Sequence, residues 1–465
     1  MTTPDSSQNT NADSPAQGVP FNNNLEHHTR PKIRGIRGFP VQAKAPDGSE
    51  HQMLGLADAR QISDRVAVVM PGVGIVLPMM DGTRSIEQIV MEVGRGLSRP
   101  IMEQLIAQLD AAALLEGPVF KELLAKVQTE FDSQPVLPPG STAAFVDAML
   151  AEDAEAPADE PARSDYAARR VRMYFDSLIA EALSDAPDPA FTALPKAIVA
   201  PHLDYPRGGL NYAAVYGRLR VADRPDRVII LGTNHFGVST GIAACDKGFS
   251  TILGECEIDS DLATGLRAAL GDTLFANRFD HEREHSIELQ IPWIQHVFGR
   301  DANNKFPKLF AALVHDPVLK NGESYDGNGV ALKPFVDALK AQLAKLPGKT
   351  LIVSSADLSH VGPAFGDQQP LMVEEGSEQA QAAEEMRNRV FGIDDEMLGM
   401  VVQNKPSDLV ASMAWQQNPT RWCSVGNLVA TLMVAQPTEV RLLRYGPVMD
   451  PQGLGMVTSA AMVMT

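Results

Sequence analysis

The feature that most constrains this chain is a short apolar run that ends in a polar, histidine-bearing loop, and it occurs three times. Uninterrupted apolar runs of this length are typical of strands covered on both faces of a parallel sheet. The loops after parallel strands lie at one edge of the sheet, where open α/β proteins bind their ligands. The three segments therefore predict an α/β fold with one cleft lined by histidines. The runs cover residues 197–200, 228–231 and 351–353, and the loops after them contain His202, His235 and His360.

A histidine in a tight turn also has a plain structural explanation, because its ring can cap a backbone carbonyl group. The distribution of histidines favours chemistry, since seven of the ten lie between His202 and His360. An imidazole at a strand end can hold a metal ion or transfer a proton. We therefore interpret the C-terminal part of the chain as the chemical domain.

The rest of this domain, predicted over residues 166–465, alternates strand and helix patterns. Such alternation indicates βαβ units and a mostly parallel central sheet flanked by helices. Further strands are predicted at 308–315, 349–355, 440–445 and 455–463, and helices at 166–183, 330–346, 379–390 and 406–416.

Two polar stretches interrupt the chain before this domain. Residues 1–30 are too polar to form a core and are predicted to be a disordered tail. Residues 131–165 are rich in proline and acidic residues, which predicts a linker with one short helix at 142–150.

Between these stretches, residues 31–130 predict a small winged-helix-like α+β module. The segment from Arg65 to Leu77 has a strand-like pattern and leads through a turn into a helix capped by Thr83 or Ser85. A second amphipathic helix is expected to end near Gly117.

Composition argues against a nucleic-acid or anionic-membrane binder, because 58 acidic and 40 basic residues give a net charge of −18. Three cysteines without paired spacing, Cys245, Cys256 and Cys423, indicate a reducing compartment. No apolar run approaches the ~20 residues that span a bilayer. Residues 1–24 lack the pattern of a signal peptide. The sequence therefore predicts a cytoplasmic protein that binds neither nucleic acid nor a membrane. The histidine-lined cleft predicts a small-molecule or peptide substrate.

Residues 281–285 form a literal H-E-x-x-H sequence, which places two zinc ligands on one helix face in metalloproteases. Here the intervening residues are Arg283 and Glu284, and a buried zinc-binding helix would have to desolvate both charges. We instead expect a helix that begins near Glu284, with His285 and Glu288 on one face. In this interpretation Glu288 orients His285, which carries protons.

Taken together, these segments resemble the Memo family, whose prokaryotic members are called AmmeMemoRadiSam system protein B. The resemblance covers about residues 190–465, and its specificity comes from the order of the motifs. The motifs are Ala200-Pro201-His202, Gly232-Thr233-Asn234-His235, Glu284-His285-Ser286-Ile287-Glu288 with Pro292, Ser354-Ser355, Asp357-Leu358-Ser359-His360 and Cys423.

The resemblance implies the fold of class III extradiol ring dioxygenases, with His202 and His235 as metal ligands and His285 as a nearby acid or base. It also implies that Ser359 stands where some members have a cysteine ligand. On that basis Ser359→Cys is expected to retain metal more tightly.

The third ligand stays open at this point, because a neutral serine hydroxyl binds metal poorly. Asp204 could complete a site of two histidines and one carboxylate; alternatively, it caps its loop. Asp357 and His360 are further candidates, and we group both with Ser359 as catalytic residues. Imidazole ligands suit a divalent ion of iron, copper or zinc.

The N-terminal module is similar to the PqqD-like peptide-binding fold, through residues 81–86 and the helix end at 109–117. The first possible function, implied by the Memo resemblance, is that of a metal-dependent, dioxygenase-like oxidoreductase of unknown substrate. The N-terminal likeness implies a second possible function, in which the chain is non-catalytic and presents a peptide or substrate to a partner. The family name implies a radical-SAM enzyme and an AMMECR-type protein as those partners. A hydrolase based on Ser359 and His360 is disfavoured, since adjacent loop residues usually point apart.

Overall fold

The computed structural model describes residues 20–44, 50–94, 96–369, 371–373 and 379–465. The chain divides into two compact units, Met1–Ser133 and Gln134–Thr465. Most of the predicted tail, residues 1–19, lies outside the described residues. Within residues 20–30, a short helix is present and His28 is buried.

The first unit is a small α+β structure in which an antiparallel sheet of order β1-β2-β3 packs with helices. The predicted strand from Arg65 to Leu77 is wrong in its extent: only its start pairs with β2, and two short 3₁₀ turns follow. The elements are α1 (Glu26–Thr29), β1 (Ile36–Lys44), β2 (Glu50–Asp58), β3 (Ala67–Val69), α2 (Ile86–Val93), α3 (Arg99–Ala111) and α4 (Pro118–Ser133).

Helix α2 begins with a reciprocal capping pair. The Ser85 hydroxyl accepts a hydrogen bond from the Gln88 amide, and the Gln88 side chain accepts one from the Ser85 amide. Two amides without partners in the helix are thereby satisfied. Of the two predicted caps, Ser85 is the one present, whereas Thr83 bonds to Asp81 in the preceding turn.

The second unit contains a large mixed sheet flanked by helices, so the predicted α/β class is confirmed. Its strands are β4 (Val136–Leu137), β5 (Ala197–Ala200), β6 (Arg227–Thr233), β7 (Ala243–Cys245), β8 (Gly248–Thr251), β9 (Gly254–Cys256), β10 (Lys308–Val314), β11 (Thr350–Ser355), β12 (Asp357–Val361), β13 (Val440–Met449) and β14 (Met456–Met464).

The helices of this unit are α5 (Ser141–Ala151), α6 (Glu160–Leu183), α7 (Tyr205–Tyr216), α8 (Ser260–Leu270), α9 (His285–Glu288), α10 (Ile291–Phe298), α11 (Leu332–Leu343), α12 (Ala380–Val402), α13 (Pro406–Gln416) and α14 (Val425–Ala435).

The strand order of the large sheet is β12-β14-β5-β11-β6-β10-β7, with β13 paired to β14. The four central strands β5, β11, β6 and β10 are parallel, and antiparallel strands complete both sides. Every residue of β5 and β6 is buried, because α14 packs near one face of these strands and α7 contacts β5 and β14. The predicted apolar runs are therefore the interior strands of the sheet.

The stretch that we predicted as a linker contains regular structure. Strand β4 pairs with β8, and α5 covers the expected short helix. Helix α4 extends past residue 130, and the division between the two units falls after Ser133. Among the described residues, no helix combines the length and apolarity needed to cross a bilayer.

Candidate metal centre

Three neighbouring parallel strands each deliver a polar side chain two residues beyond their last residue. His202 follows β5, His235 follows β6 and Asp357 follows β11, which lies between them in the sheet. Since parallel strands end at the same edge, the three side chains are brought to one place. The predicted convergence of the three loops is therefore present.

Three imidazoles meet at this edge. The ring centroids of His202 and His235 lie 5.0 Å apart, and those of His235 and His285 lie 4.7 Å apart. Each of His202, His235 and His285 offers a ligand atom within 4.8 Å of the others. His285 reaches the group from the start of α9.

His202 is held in one orientation by two contacts. Its ring Nδ1 donates to the Ser355 carbonyl at 3.1 Å, and its backbone amide donates to Asp357 Oδ1 at 3.0 Å. Burial and then the neighbouring imidazoles hold the pKa of His202 well below its usual value. The ring is therefore neutral, and its Nε2 lone pair faces the cluster, 3.3 Å from Cys423 Sγ.

Glu284 orients His235 and lies beside His285. It is buried and caps the start of α9, while accepting hydrogen bonds from the His235 amide at 2.8 Å and His235 Nδ1 at 3.0 Å. His285 Nδ1 lies 3.4 Å from the same carboxylate oxygen. Burial alone would raise the pKa of Glu284, but His235 and the other contacts lower it to about 2. A carboxylate behind a histidine in this way is common at metal sites.

The pKa values of the two histidines beside Glu284 are shifted in opposite directions. Burial would lower the pKa of His235, but the Glu284 carboxylate and a hydrogen bond with Cys423 raise it well above its usual value. A metal ion bound at Nε2 replaces the proton there. Burial lowers the pKa of His285 to about 4, so this ring is neutral at pH 7.

Cys423 is the site residue whose part the sequence analysis underestimated. Its Sγ lies 3.3 Å from His202 Nε2 and 3.2 Å from the Ser424 hydroxyl. Thr233, at the end of β6, bonds to the Cys423 carbonyl at 3.2 Å and so ties this loop to the sheet. The sequence did contain a signal for this role, because Cys423 lies in a polar segment. Cys245 and Cys256, in contrast, lie in buried strands.

Glu288 does not orient His285, and that prediction is wrong. Its carboxylate accepts hydrogen bonds from the amides of Gly140, Ser141 and Thr142 at 2.9, 3.0 and 2.8 Å. These amides form the start of α5, where a negative charge is favourable. Helix α9 begins at His285, so Glu284 at its cap faces the histidines and Glu288 points to α5.

Asp204 lies outside the cluster. It caps α7 by accepting from the Arg207 amide at 3.1 Å, and it pairs with the Arg207 side chain at 2.8 Å. Its carboxylate is half exposed. The structural alternative, in which this residue caps its loop, accounts for it, and the metal-ligand interpretation is corrected.

Asp357 and His360 lie beside the imidazoles. Burial raises the pKa of Asp357 to about 7, and Asp357 Oδ2 lies 3.5 Å from His202 Nε2. Burial, together with the nearby His235, lowers the pKa of His360 to about 4. The His360 ring bonds through Nδ1 to the Leu358 carbonyl at 2.9 Å. Their catalytic roles remain predictions.

Ser359 faces away from the histidines, so its interpretation as a ligand position is wrong. Its hydroxyl donates to Asp394 at 2.5 Å and accepts from the Trp422 indole at 3.1 Å. The pairing of β12 with β14 shifts register between Asp357 and His360, so simple alternation along the strand does not predict this direction.

Ser359→Cys is therefore expected to leave metal affinity unchanged, within about twofold, because a thiol at this position cannot reach the cluster. The measurement is a metal titration against a chromophoric chelator, with wild-type protein in parallel. Tighter binding by the variant would restore the original ligand assignment.

A second group of possible ligands, His27, His28 and Asp110, lies in the first unit. The Asn22 amide donates to His28 Nδ1 at 3.0 Å, so the proton of the neutral ring is on Nε2, 3.0 Å from Asp110. That nitrogen has no lone pair for a metal. The group is best described as a buried hydrogen-bonded cluster.

The fold and this donor set define an α/β protein with a centre of histidines and one cysteine at the carboxyl ends of parallel strands. The chain belongs to the Memo family: the family model described as "Memo-like protein" matches residues 169–454.

Curated relatives match over a shorter stretch. A MEMO1 family protein of Methanopyrus kandleri is 34% identical over 172 residues, which is 36% of this chain and 53% of the relative. A MEMO1 family protein of Nitrosopumilus maritimus is 32% identical over 164 residues, which is 35% of this chain and 53% of that protein. The chain thus spans about half the length of the curated relatives it matches.

The three thiols are expected to differ in reactivity. Burial raises the pKa of Cys245 and of Cys256 to about 12, whereas Cys423 is partly exposed. Because the thiolate is the reactive form, we expect Ellman's reagent to modify one thiol per native chain. Cys423→Ser should remove this reaction, and added zinc should slow it. Reaction of two or three thiols without unfolding would contradict the assignment.

Proposed function

We propose that this protein is a metal-dependent oxidoreductase, related in chemistry to dioxygenases, with a metal held by His202, His235 and Cys423. The observation that carries the proposal is the convergence of two imidazole Nε2 atoms and one thiol at the edge of the sheet. His202 Nε2 lies 3.3 Å from Cys423 Sγ, and His235 and His202 offer ligand atoms within 4.8 Å of each other.

The donors favour a particular class of metal. Imidazole and thiolate ligands suit iron, copper or zinc, whereas magnesium and calcium prefer oxygen ligands. Both histidines use Nδ1 for a hydrogen bond to the protein, which leaves Nε2 for the ion. The residues present therefore fit a transition-metal ion without rearrangement of their ring contacts.

His285 is proposed as a proton carrier. Its contact with Glu284 is longer than that of His235, and 27% of its side chain is exposed, so it can face a substrate in the cleft. With its pKa lowered to about 4 by burial, it is neutral and can accept a proton. Asp357, whose pKa burial raises to about 7, can hold a proton near neutral pH.

A bound ion would supply Lewis acidity or redox chemistry to a small-molecule or peptide substrate. The chain's own contribution is to hold and orient the reacting groups. Ser355 at the end of β11 and Thr233 at the end of β6 are tied together by Asn427, which donates to Thr233 Oγ1 at 2.9 Å and to the Ser355 carbonyl at 2.7 Å.

Elemental analysis of protein purified without chelators tests the proposal. We expect about one iron, copper or zinc ion per chain, retained through gel filtration. Protein that contains no transition metal, and that binds none of the three ions in titrations, would refute it. Dioxygen consumption with iron-loaded protein and candidate aromatic substrates is the second measurement.

A second candidate function is suggested by the first unit. In the described part of the chain, β3 is the outermost strand on its side of the sheet, and Val66, Val68 and Met70 on or beside it are exposed. Such an edge can accept an added strand from a peptide. In this alternative the chain presents a peptide or substrate to a radical-SAM enzyme and an AMMECR-type protein in the cytoplasm.

A charged residue introduced on this edge distinguishes the two candidate functions experimentally. Val68→Lys should abolish peptide or partner binding and leave metal content unchanged, because the substitution lies in the first unit. Met91→Lys, at an exposed position on α2, is the matched control. Equal binding by both variants would exclude the edge as the binding surface.

A further inference from the structure

A fully buried carboxylate joins the segments that carry His360 and Cys423. Asp394 on α12 accepts hydrogen bonds from four side chains in different parts of the second unit. The donors are Ser359 on β12, Trp422 before α14, Tyr445 on β13 and Thr458 on β14.

The two oxygens of Asp394 have separate partners. Oδ1 accepts from Ser359 Oγ at 2.5 Å and from Trp422 Nε1 at 2.7 Å. Oδ2 accepts from the Tyr445 hydroxyl at 2.6 Å and from Thr458 Oγ1 at 2.5 Å. A buried charge needs such donors, and donors to a charged group form the stronger hydrogen bonds.

Only the Oδ1 pair adjoins the metal centre directly in sequence. Ser359 precedes His360, and Trp422 precedes Cys423. The two segments are also tied by their main chains, since the His360 amide donates to the Thr420 carbonyl at 2.7 Å. Asp394 Oδ1 therefore ties the segment that carries His360 to the segment that carries Cys423.

The loop before Cys423 has a backbone that needs external support. Gln417, Asn418 and Arg421 have φ angles of 58°, 46° and 58°, in the left-handed region that favours glycine. Non-glycine residues persist there only where the surrounding structure holds them. Asn418 bonds to both main-chain groups of Trp422, and the Trp422 indole anchors the loop to Asp394.

We propose that Asp394 is a positioning residue for the metal centre, which it serves by holding Cys423 through Trp422 and His360 through Ser359. The proposal rests on the metal-binding function proposed above and extends it to a residue that does not touch the ion. A purely structural Asp394 would stabilise the fold through all four donors alike.

Two variants that each remove one donor separate these roles. Trp422→Phe removes the indole N–H and leaves the Ser359 hydroxyl on Oδ1, while Tyr445→Phe removes a hydroxyl and leaves Thr458 on Oδ2. Each therefore leaves one donor on the affected oxygen. The probe is Co²⁺ alone, added to the purified full-length protein.

For Trp422→Phe we expect about a tenfold loss of Co²⁺ affinity and a weaker thiolate-to-cobalt charge-transfer absorption, because Cys423 is no longer held. For Tyr445→Phe we expect affinity and absorption within about twofold of wild type. Equal effects of the two variants on both readouts, or no effect of Trp422→Phe, would overturn the proposal.

Asp394→Asn provides the conservative test. Its carbonyl oxygen can still accept from Trp422, and its amide can donate to the Tyr445 and Thr458 hydroxyls, which can also accept. We expect Asp394→Asn to keep most of the absorption that Asp394→Ala loses. If Asp394→Ala fails to fold, the comparison of Trp422→Phe with Tyr445→Phe still tests the proposal. Loss of the absorption in Asp394→Asn with wild-type absorption in Trp422→Phe would refute the proposal.

A readout without metal distinguishes failure of this proposal from failure of the proposed function. If wild-type protein binds neither Co²⁺ nor iron, copper or zinc, the metal centre is refuted. The role of Asp394 is then measured from the rate at which Ellman's reagent modifies Cys423 in the metal-free protein. A rate changed several-fold in Trp422→Phe but not in Tyr445→Phe supports positioning of the thiol; equal rates refute it.

Discussion

Replacement of His202 with alanine is expected to reduce transition-metal affinity roughly 100-fold or more, because it removes the most deeply buried of the proposed ligands. The fold should be retained, since the backbone amide of His202 still bonds to Asp357. The Ser355 carbonyl that loses the ring N–H keeps its bond from Asn427 at 2.7 Å. The measurement is competition against a chromophoric chelator, combined with elemental analysis.

His296→Ala is the control for this experiment. His296 lies on α10 and bonds to Asp176 at 3.1 Å, outside the group of His202, His235 and His285. Its removal should leave metal content unchanged. A His202→Ala protein that retains one ion per chain with wild-type affinity would show that the metal lies elsewhere.

Trp293→Ala is expected to lower the free energy of unfolding of the second unit by about 3–5 kcal/mol. Trp293 is fully buried and stacks on Phe175, with ring centroids 3.9 Å apart. It also stacks on Tyr212 and Tyr216, each at 5.8 Å. Alanine leaves a cavity among these rings that the packed helices can fill only in part.

Trp415→Ala provides the comparison, because the Trp415 residue is 88% exposed on α13. Its removal should change the free energy of unfolding by less than about 0.5 kcal/mol. Urea unfolding followed by circular dichroism measures both variants. A loss below about 1 kcal/mol for Trp293→Ala would mean that the aromatic cluster does not support the fold.

The positions of His202 and His235 in loops at strand ends could be predicted because the information is local. An apolar run identifies a buried strand, and the first polar residues after it must lie at the strand's end. In a parallel sheet, this places side chains from distant segments at one edge. No knowledge of long-range packing was needed for either residue beyond the assumption that the strands are parallel.

Glu284 and Glu288 show where local reasoning fails. Helical spacing puts His285 and Glu288 on one face, but this holds only within a helix that extends past both residues. Helix α9 has four residues, and Glu284 occupies its cap. A shift of the helix start by one residue therefore decides which carboxylate faces the histidines.

By itself, the sequence determined the α/β class, the buried strands and the strand ends at which His202 and His235 lie, because apolar periodicity and chain order encode these features over a few residues. Only the tertiary structure decided that Cys423 joins them, that Ser359 turns toward Asp394, and that Asp204 caps a helix. These outcomes depend on contacts between residues far apart in the chain, such as Cys423 and His202, 221 positions apart. Such contacts are set by the packing of helices and loops against the sheet, which no local pattern specifies.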